Sequence, residues 1–448
     1  MNSVAALIKT VFALTPAIAC AWLAAEEPHD PSPQPDEQQL PHAMHSTMTD
    51  LPTITVGREN ADLIGTDNRA LQAVVDYIAG LGGGTVEIGP GEYLMRDSLH
   101  LRSHVTVRGQ AGRTRLRKAD SVASGLALDG DFGEEQITVE DATGFDVGTG
   151  VAIWDDRAGG FHTTVARITG RRGKTFSIDV PLMADCMVQN HARAATVFPV
   201  VSGRDVQGVR VENLVILGNK ESNVPLNGCR GAGIYLFRGH GTVLKGCEVR
   251  GYNGDGISFQ QSNDVTVEGC VSADNAQLGL HPGSGSQRPI VRGCTARGNG
   301  TDGLFLCWRV RYGLFEDNVL ERNGQYGISI GHKDSDNLLQ RNRVSQNARE
   351  GISFRNESLG MAAHRNRLIE NVIENNGITA PSPGIRICGA TSGLVFEKNT
   401  IRDTRVPGSR TQTAGILIEP QVGEVTIRDN TIEAEVTIDD RRPRDSGK

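Results

Sequence analysis

Between residues 234 and 351 the apolar and polar positions recur with a fixed period. Segments starting at Ile234, Ile257, Leu280, Leu304 and Ile328 are 23 or 24 residues long and end on Gly256, Gly279, Gly303, Gly327 and Gly351. Each opens with alternating apolar residues, as in Ile257-x-Phe259 and Ile328-x-Ile330. Alternation of this kind is the signature of a strand. A second apolar pair (Val265-x-Val267) and a third short stretch (Val319-Leu320) follow in the same segments. A period in the twenties indicates a solenoid, and the L-x-x-L-x-L pattern of leucine-rich repeats is absent. Three short strands per turn predict an all-β chain, a parallel β-helix whose coils stack about 4.8 Å apart.

Two polar columns run through the repeat. One reads Cys247, Cys270, Cys294, Asn318, Asn342 and continues at Asn371, Asn399 and Asn430; the other reads Asn275, Asn299, Asn323, Asn347, Asn376. Asn at one position of successive coils predicts an amide ladder. Cys interchangeable with Asn in that column predicts stacked buried thiols, with no zinc spacing present.

Outside the repeat the pattern changes. Residues 67–80 predict a short amphipathic helix capped by Asp67, with Ala70, Leu71, Val74, Val75 and Ile78 on one face. It covers the open end of the solenoid, and residues 51–133 hold this cap and the first coils. Residues 134–200 alternate like antiparallel hairpins and predict an inserted β-subdomain; its Trp154, Asp155, Asp156, His162 and His191 are read as subdomain surface and core rather than cleft. Residues 201–438 form the β-helix proper, and residues 439–448 a charged, frayed tail. Residues 1–25 read as an export signal, too short to span a membrane, with Cys20 a possible lipid anchor. Residues 26–50 read as a disordered Pro-rich tether. The expected location is therefore periplasmic or extracellular.

The net charge of −7 and pI near 5.9 argue against nucleic-acid binding. The coils resemble the right-handed parallel β-helix proteins of the pectin-lyase-like superfamily. Residues 66–93 are similar to the opening of the rhamnogalacturonase and epimerase-like pectate-lyase group. The resemblance implies a polysaccharide partner and leaves the reaction open, because that superfamily includes lyases, hydrolases, epimerases and non-enzymes. Locally, Gly279-Leu280-His281-Pro282 resembles a stretch of alginate C5-epimerase modules reading Tyr-Gly-Phe-Asp-Pro-His. Only Gly and Pro match: Leu278, His281 and Gly283 stand at the Tyr, Asp and His positions. The similarity supports a location, not a catalytic set.

The first strand of each coil is expected to line an outer sheet. Tyr235, Ser258, His281, Phe305, Ser329, Ser353, Arg386 and Leu417 should point outward, and Leu236, Phe259, Leu306, Ile330, Phe354, Ile387 and Ile418 inward. Pro282 and the small residues after it break the rule, and a broken rule in a regular array points to a functional site. Around it the sequence gathers Trp308, Arg309, His332, Lys333 and Arg355 on one side, and Asp255, Asp302, Tyr326 and Glu350 on the other. The reading favoured is an enzyme that abstracts the C5 proton of a uronate and ends in elimination or, second, epimerisation. Arg309, Lys333 and Arg355 would neutralise the carboxylate, and His281, His332 or Lys333 would act as base; the alternative for the cations is plain pairing with Asp334, Asp336, Glu350 and Glu357. Tyr326 would be the proton donor and Trp308 the stacking surface, with Gln260, Asp255, Asp302 and Glu350 contacting substrate. Two alternatives stay open: a glycoside hydrolase using Asp255, Asp302 and Glu350, and a non-catalytic binding or cell-surface β-helix. The sequence does not decide a calcium requirement or the oligomeric state.

Overall fold

The computed structural model describes residues 51–443; the expected leader, Cys20, the Pro-rich tether and residues 444–448 lie outside it. Three long sheets of 13, 11 and 11 strands run the length of the chain. Every strand pair within them is parallel and in register, for example Ile257↔Leu280, Val267↔Val291 and Ala273↔Arg297. This is a parallel β-helix with three strands per coil. The inward set is buried as expected: Leu236, Phe259, Leu306, Ile330, Phe354, Ile387 and Ile418 all belong to one continuous core. The helix Asn68–Gly80 caps that core with Leu71, Val74, Val75 and Ile78, and Asp67 accepts from the amides of Arg69 and Ala70.

The ladders exist bond for bond. Asn299 Nδ2 donates to Asn323 Oδ1 at 3.0 Å, and Asn323 donates likewise to Asn347 at 3.0 Å. Asn318, Asn342, Asn371, Asn399 and Asn430 are joined the same way, each step at 2.9 Å. The Cys rungs keep half of this chemistry. Cys294 Sγ donates to Val267 O at 3.4 Å, as Asn318 Nδ2 does to Val291 O at 2.9 Å. The thiols of Cys247, Cys270 and Cys294 are free and buried.

Between Ala123 and Ala195 a six-stranded antiparallel sheet interrupts the coils, with a core of its own that includes Phe145, Ile153, Ile168 and Phe176. At the other end the expected frayed tail needs correction. The strand Val436–Asp440 pairs Leu417 with Asp439 and Ile418 with Asp440, so order continues past Ile438. Strand pairing at the edge outweighs the local charge. Among the described residues no helix is long and apolar enough to cross a membrane.

The ladder yields a stability prediction. Asn323 is buried, donates to Ala296 O and Asn347 Oδ1, and accepts from Asn299. Asn323→Ala orphans these groups and should cost about 3 kcal/mol or more in chemical denaturation. Cys294→Asn extends the amide ladder by one rung onto Asn318 and should leave stability equal or higher. A neutral Asn323→Ala would show that the ladder is decorative.

Candidate functional site

The site lies on the sheet formed by the first strand of each coil, among them Ala232–His240, Asp255–Gln260, Leu280–Gly283, Leu304–Phe305, Ile328–Ile330 and Ile352–Phe354. Pro282 weakens the ladder there, as expected. Pairing between the strands Leu280–Gly283 and Leu304–Phe305 shrinks to Leu280↔Leu304, with an isolated bridge at Gly283↔Cys307.

The outward column is not an open floor. Tyr235, Ser258, His281, Ser329 and Ser353 are buried. Residues 223–231 lie across the first of them: Ser258 Oγ donates to Gly228 O at 2.7 Å and Tyr235 OH to Cys229 O at 2.7 Å. A side chain at Gly228 would collide with the Asp255 carboxylate, so glycine is what lets this loop sit so low. His281, expected at the centre of the cleft, is only 3% exposed, with Asp255, Cys307 and Phe305 around it. Its Nδ1 lies 2.7 Å from Asp255 Oδ2, and its buried Nε2 faces the Cys307 thiol beyond close hydrogen-bond distance. Burial opposes its charge, but bonding to Asp255 and Cys307 outweighs that and lifts the imidazole to about 9. Gln260 is likewise buried, its Nε2 on Ser258 Oγ at 2.9 Å.

Arg355 is not a free cation either. It donates to Ser329 Oγ at 2.8 Å and Leu306 O at 2.7 Å, pairs with buried Asp334 at 3.2 Å, and lies over the Phe305 ring at 4.4 Å. Asp334, with the Val310 and Gly331 amides on its carboxyl, holds this arginine down on the sheet. Burial still pushes its carboxyl up to about 7 against those partners.

The remaining expected residues divide between the two edges of the sheet. Asp255, Asp302, Tyr326 and Glu350 stand at the edge where strands begin. Asp302 is 4% exposed and accepts from the Tyr326 amide at 3.2 Å; burial pushes it up to about 7 despite Arg355 and that amide. Glu350 lies 3.6 Å from Arg349 and 3.5 Å from Arg386. Burial and Glu350 raise the Tyr326 phenol. Trp308, Arg309, His332 and Lys333 stand at the opposite edge. Tyr326 precedes and His332 follows the strand Ile328–Ile330, so a distance on the order of 15 Å separates them. Tyr326, the expected proton donor, thus stands at the edge away from His332 and Lys333.

The Trp308 edge has unusual backbone. Trp308, Arg309, His332 and Lys333 have φ of 69°, 70°, 48° and 68°. These are the only successive non-glycine pairs in the left-handed region among the described residues. Such conformations cost about 1 kcal/mol or more each and persist where surrounding structure enforces them. Here the stack does so: Arg309 N donates to His332 O at 2.9 Å and Lys333 N to Met361 O at 2.6 Å. The Trp308 and His332 rings lie 5.7 Å apart, tilted by 31°. His332 Nε2 sits 2.8 Å from Glu357 Oε1, while burial and Arg355 hold the imidazole below its ordinary value. Arg309 and Lys333 have no ion-pair partner among the described residues. Trp308 is 39% exposed, and Phe161 of the antiparallel sheet's turn meets it edge-on at 6.1 Å. That turn is how the insertion reaches the cleft. Asp155 is instead buried on the amides of Arg157 and Met187, and His191 pairs with Asp156 at 2.7 Å. Beyond Arg355 a pocket of about 250 Å³, lined by Asn356, Arg386, Cys388 and Glu419, extends the open surface.

Among the described residues no three His, Cys, Asp or Glu side chains are grouped to hold a metal ion.

Sequence reasoning missed residues 223–231, Cys307 and Phe161. A signal for the loop existed: Val201 pairs with Ile234, 33 residues on, whereas Ile234 pairs with Ile257, 23 residues on.

Comparison with known proteins agrees with the fold. Residues 201–368 match the family described as right handed beta helix region. The A-module of mannuronan C-5 epimerase AlgE4 from Azotobacter vinelandii superposes with a TM-score of 0.52 at 15% identity, over 88% of this chain and 100% of that one. The Dettilon tailspike protein gp208 superposes at 0.54 and 13% identity, over 86% of this chain and 68% of that one. No curated protein matches the sequence. The chain is a right-handed parallel β-helix protein.

The buried titrations predict a pH profile. His281, raised to about 9, contributes stability that is complete below its unfolded value of about 6.5 and lost as pH rises through about 9. Asp302, raised to about 7, contributes stability complete below about 3.9 and lost as pH rises through about 7. Both act in the same direction, so the melting temperature should fall on the alkaline side. Asp302→Asn preserves the neutral form and should flatten the acid-to-neutral part of that fall. An unaltered profile in Asp302→Asn would contradict the burial argument.

Proposed function

We propose that this protein is a carbohydrate-active β-helix enzyme that abstracts the C5 proton of a uronate in an anionic polysaccharide, with His332 as the base. The carrying observation is the strained pair of turns that sets a neutral, Glu357-held imidazole beside two unmatched cations and an exposed indole. The C5 proton is removable only if charge building on the adjacent carboxylate is met by cations in place. Arg309 and Lys333 supply these, and Trp308 offers a face for the pyranose ring. With Nε2–H directed at Glu357, Nδ1 is the accepting nitrogen; Arg355 Nη2 stands 3.5 Å from it and must give way when the C5 proton is taken. The C5–H bond breaks, its electron pair passes into the enediolate, and the proton moves to Nδ1. When the C4–O bond then cleaves, the same proton goes to the departing oxygen, leaving an unsaturated end. Return of a proton to the opposite face of C5 instead would give epimerisation. The AlgE4 module, a mannuronan C-5 epimerase by name, shares the fold and is consistent with such chemistry.

A second reading is favoured by one observation. Asp302, poised near neutrality, and Glu350 occupy the same edge two coils apart, roughly 9.6 Å by coil spacing. That interval suits an acid and base of an inverting glycoside hydrolase.

Activity on uronate polymers separates the two. His332→Gln should lower kcat by about 10² to 10⁴, and Arg309→Ala and Lys333→Ala by about 10² each. All three should leave the melting temperature unchanged, because the turns are partly exposed. His281→Gln should lower the melting temperature instead. Unsaturated ends from uronate polymers are expected; reducing ends from a neutral glycan, lost in Asp302→Asn and retained in His332→Gln, would establish the hydrolase in its place.

A further inference from the structure

We propose that the cavity between the antiparallel sheet and the first coils is a second saccharide site, one that takes the carboxylate of a uronate unit. The inference rests on the uronate reading and adds a binding site remote from the reacting turn. The cavity holds about 270 Å³. Its floor continues the outward column: His100, Ser202 and Tyr235 are in register on successive strands. Val165 and Val180 from the antiparallel sheet face Phe198 and Pro199 across it, an apolar lining suited to the C–H face of a sugar ring.

The charge is what selects the ligand. Four arginines line the cavity, and two are matched: Arg102 by Asp76 at 2.8 Å and Arg167 by Asp179 at 3.5 Å. The other two have no carboxylate partner among the described residues. Arg204 lies over the Phe237 ring at 5.3 Å, and Arg230 Nε donates to Phe161 O at 2.5 Å. Both line this one cavity beside Tyr235, and both ease its phenol down against the burial that raises it. Paired guanidinium forks fit a carboxylate in a planar, bidentate manner, and a neutral sugar leaves them unmatched. From Tyr235 to Ser329 the column advances four coils, about 19 Å. Residues 223–231 cover the floor between, so the cavity and the Trp308 turn are separate stations that one polyanionic chain would bridge over the loop.

The test is calorimetric titration of the full chain with mannuronate trisaccharide, using Arg309→Ala/Lys333→Ala as the background so that the turn no longer contributes. Binding should persist in that background, weaken about tenfold on adding Arg204→Ala or Arg230→Ala, and weaken with salt as a charge-driven contact does. Arg204→Lys should recover part of the loss, since it restores charge without the fork. Neutral mannotriose should bind at least tenfold more weakly. Loss of all binding in the background variant, indifference to Arg204→Ala, or equal binding of mannotriose would each overturn the site. Turnover of uronate polymer by the unaltered chain reports separately: if it persists while the cavity fails, the proposed reaction stands without the second site.

Discussion

In-register parallel pairing between coils is the constraint on which everything else depends. Each residue lies about 4.8 Å above its counterpart, so any side chain must tolerate its own copies. Apolar positions become continuous core. Asn becomes a ladder, because an amide is both donor and acceptor and satisfies the copy on either side. Cys is tolerated in the same column because its thiol reaches the same kind of carbonyl. The rule also explains why the candidate site residues are conspicuous: charged or bulky side chains recurring at one turn must be held there by something other than the repeat.

That turn follows the one coil that breaks the ladder. Pro282 shortens the pairing, and the next two coils place consecutive left-handed residues at the same corner. Strain alone does not make a site, but here it orients an indole, a guanidinium, an imidazole and an ammonium on adjacent coils. The sheet's opposite edge collects Asp255, Asp302 and Glu350, and burial pushes Asp302 up to about 7. Arg355 lies between the edges, locked by Asp334 and Ser329, and electrostatically links Asp302 to His332. A single-sided reaction at the Trp308 edge fits this division better than one needing Tyr326 and His332 together.

The fold was legible because periodicity is a property of the chain itself. Glycine, Asn and alternating apolar positions named the coil length, the ladders and the inward set down to Phe259 and Ile418. The site was legible only in part. Trp308, Arg309, His332 and Lys333 share one turn as expected, since coil spacing fixes their register. What covers the sheet is not encoded in the repeat. His281 reads as an open central residue although the structure buries it against Asp255, while residues 223–231 lie on Ser258 and Tyr235 beside it; of the three cations, only Arg355 pairs with Asp334, two residues after His332. Long-range contacts made by insertions carry no periodic signal; the extra length between Val201 and Ile234 marks the loop without saying where it lies.

The most direct test is a crystal structure of His332→Gln with a uronate oligosaccharide bound. The account places one pyranose face on Trp308 with its carboxylate between Arg309 and Lys333 and C5 facing position 332. A sugar seated instead between Asp302 and Glu350, with Arg309 and Lys333 left in solvent, would contradict it.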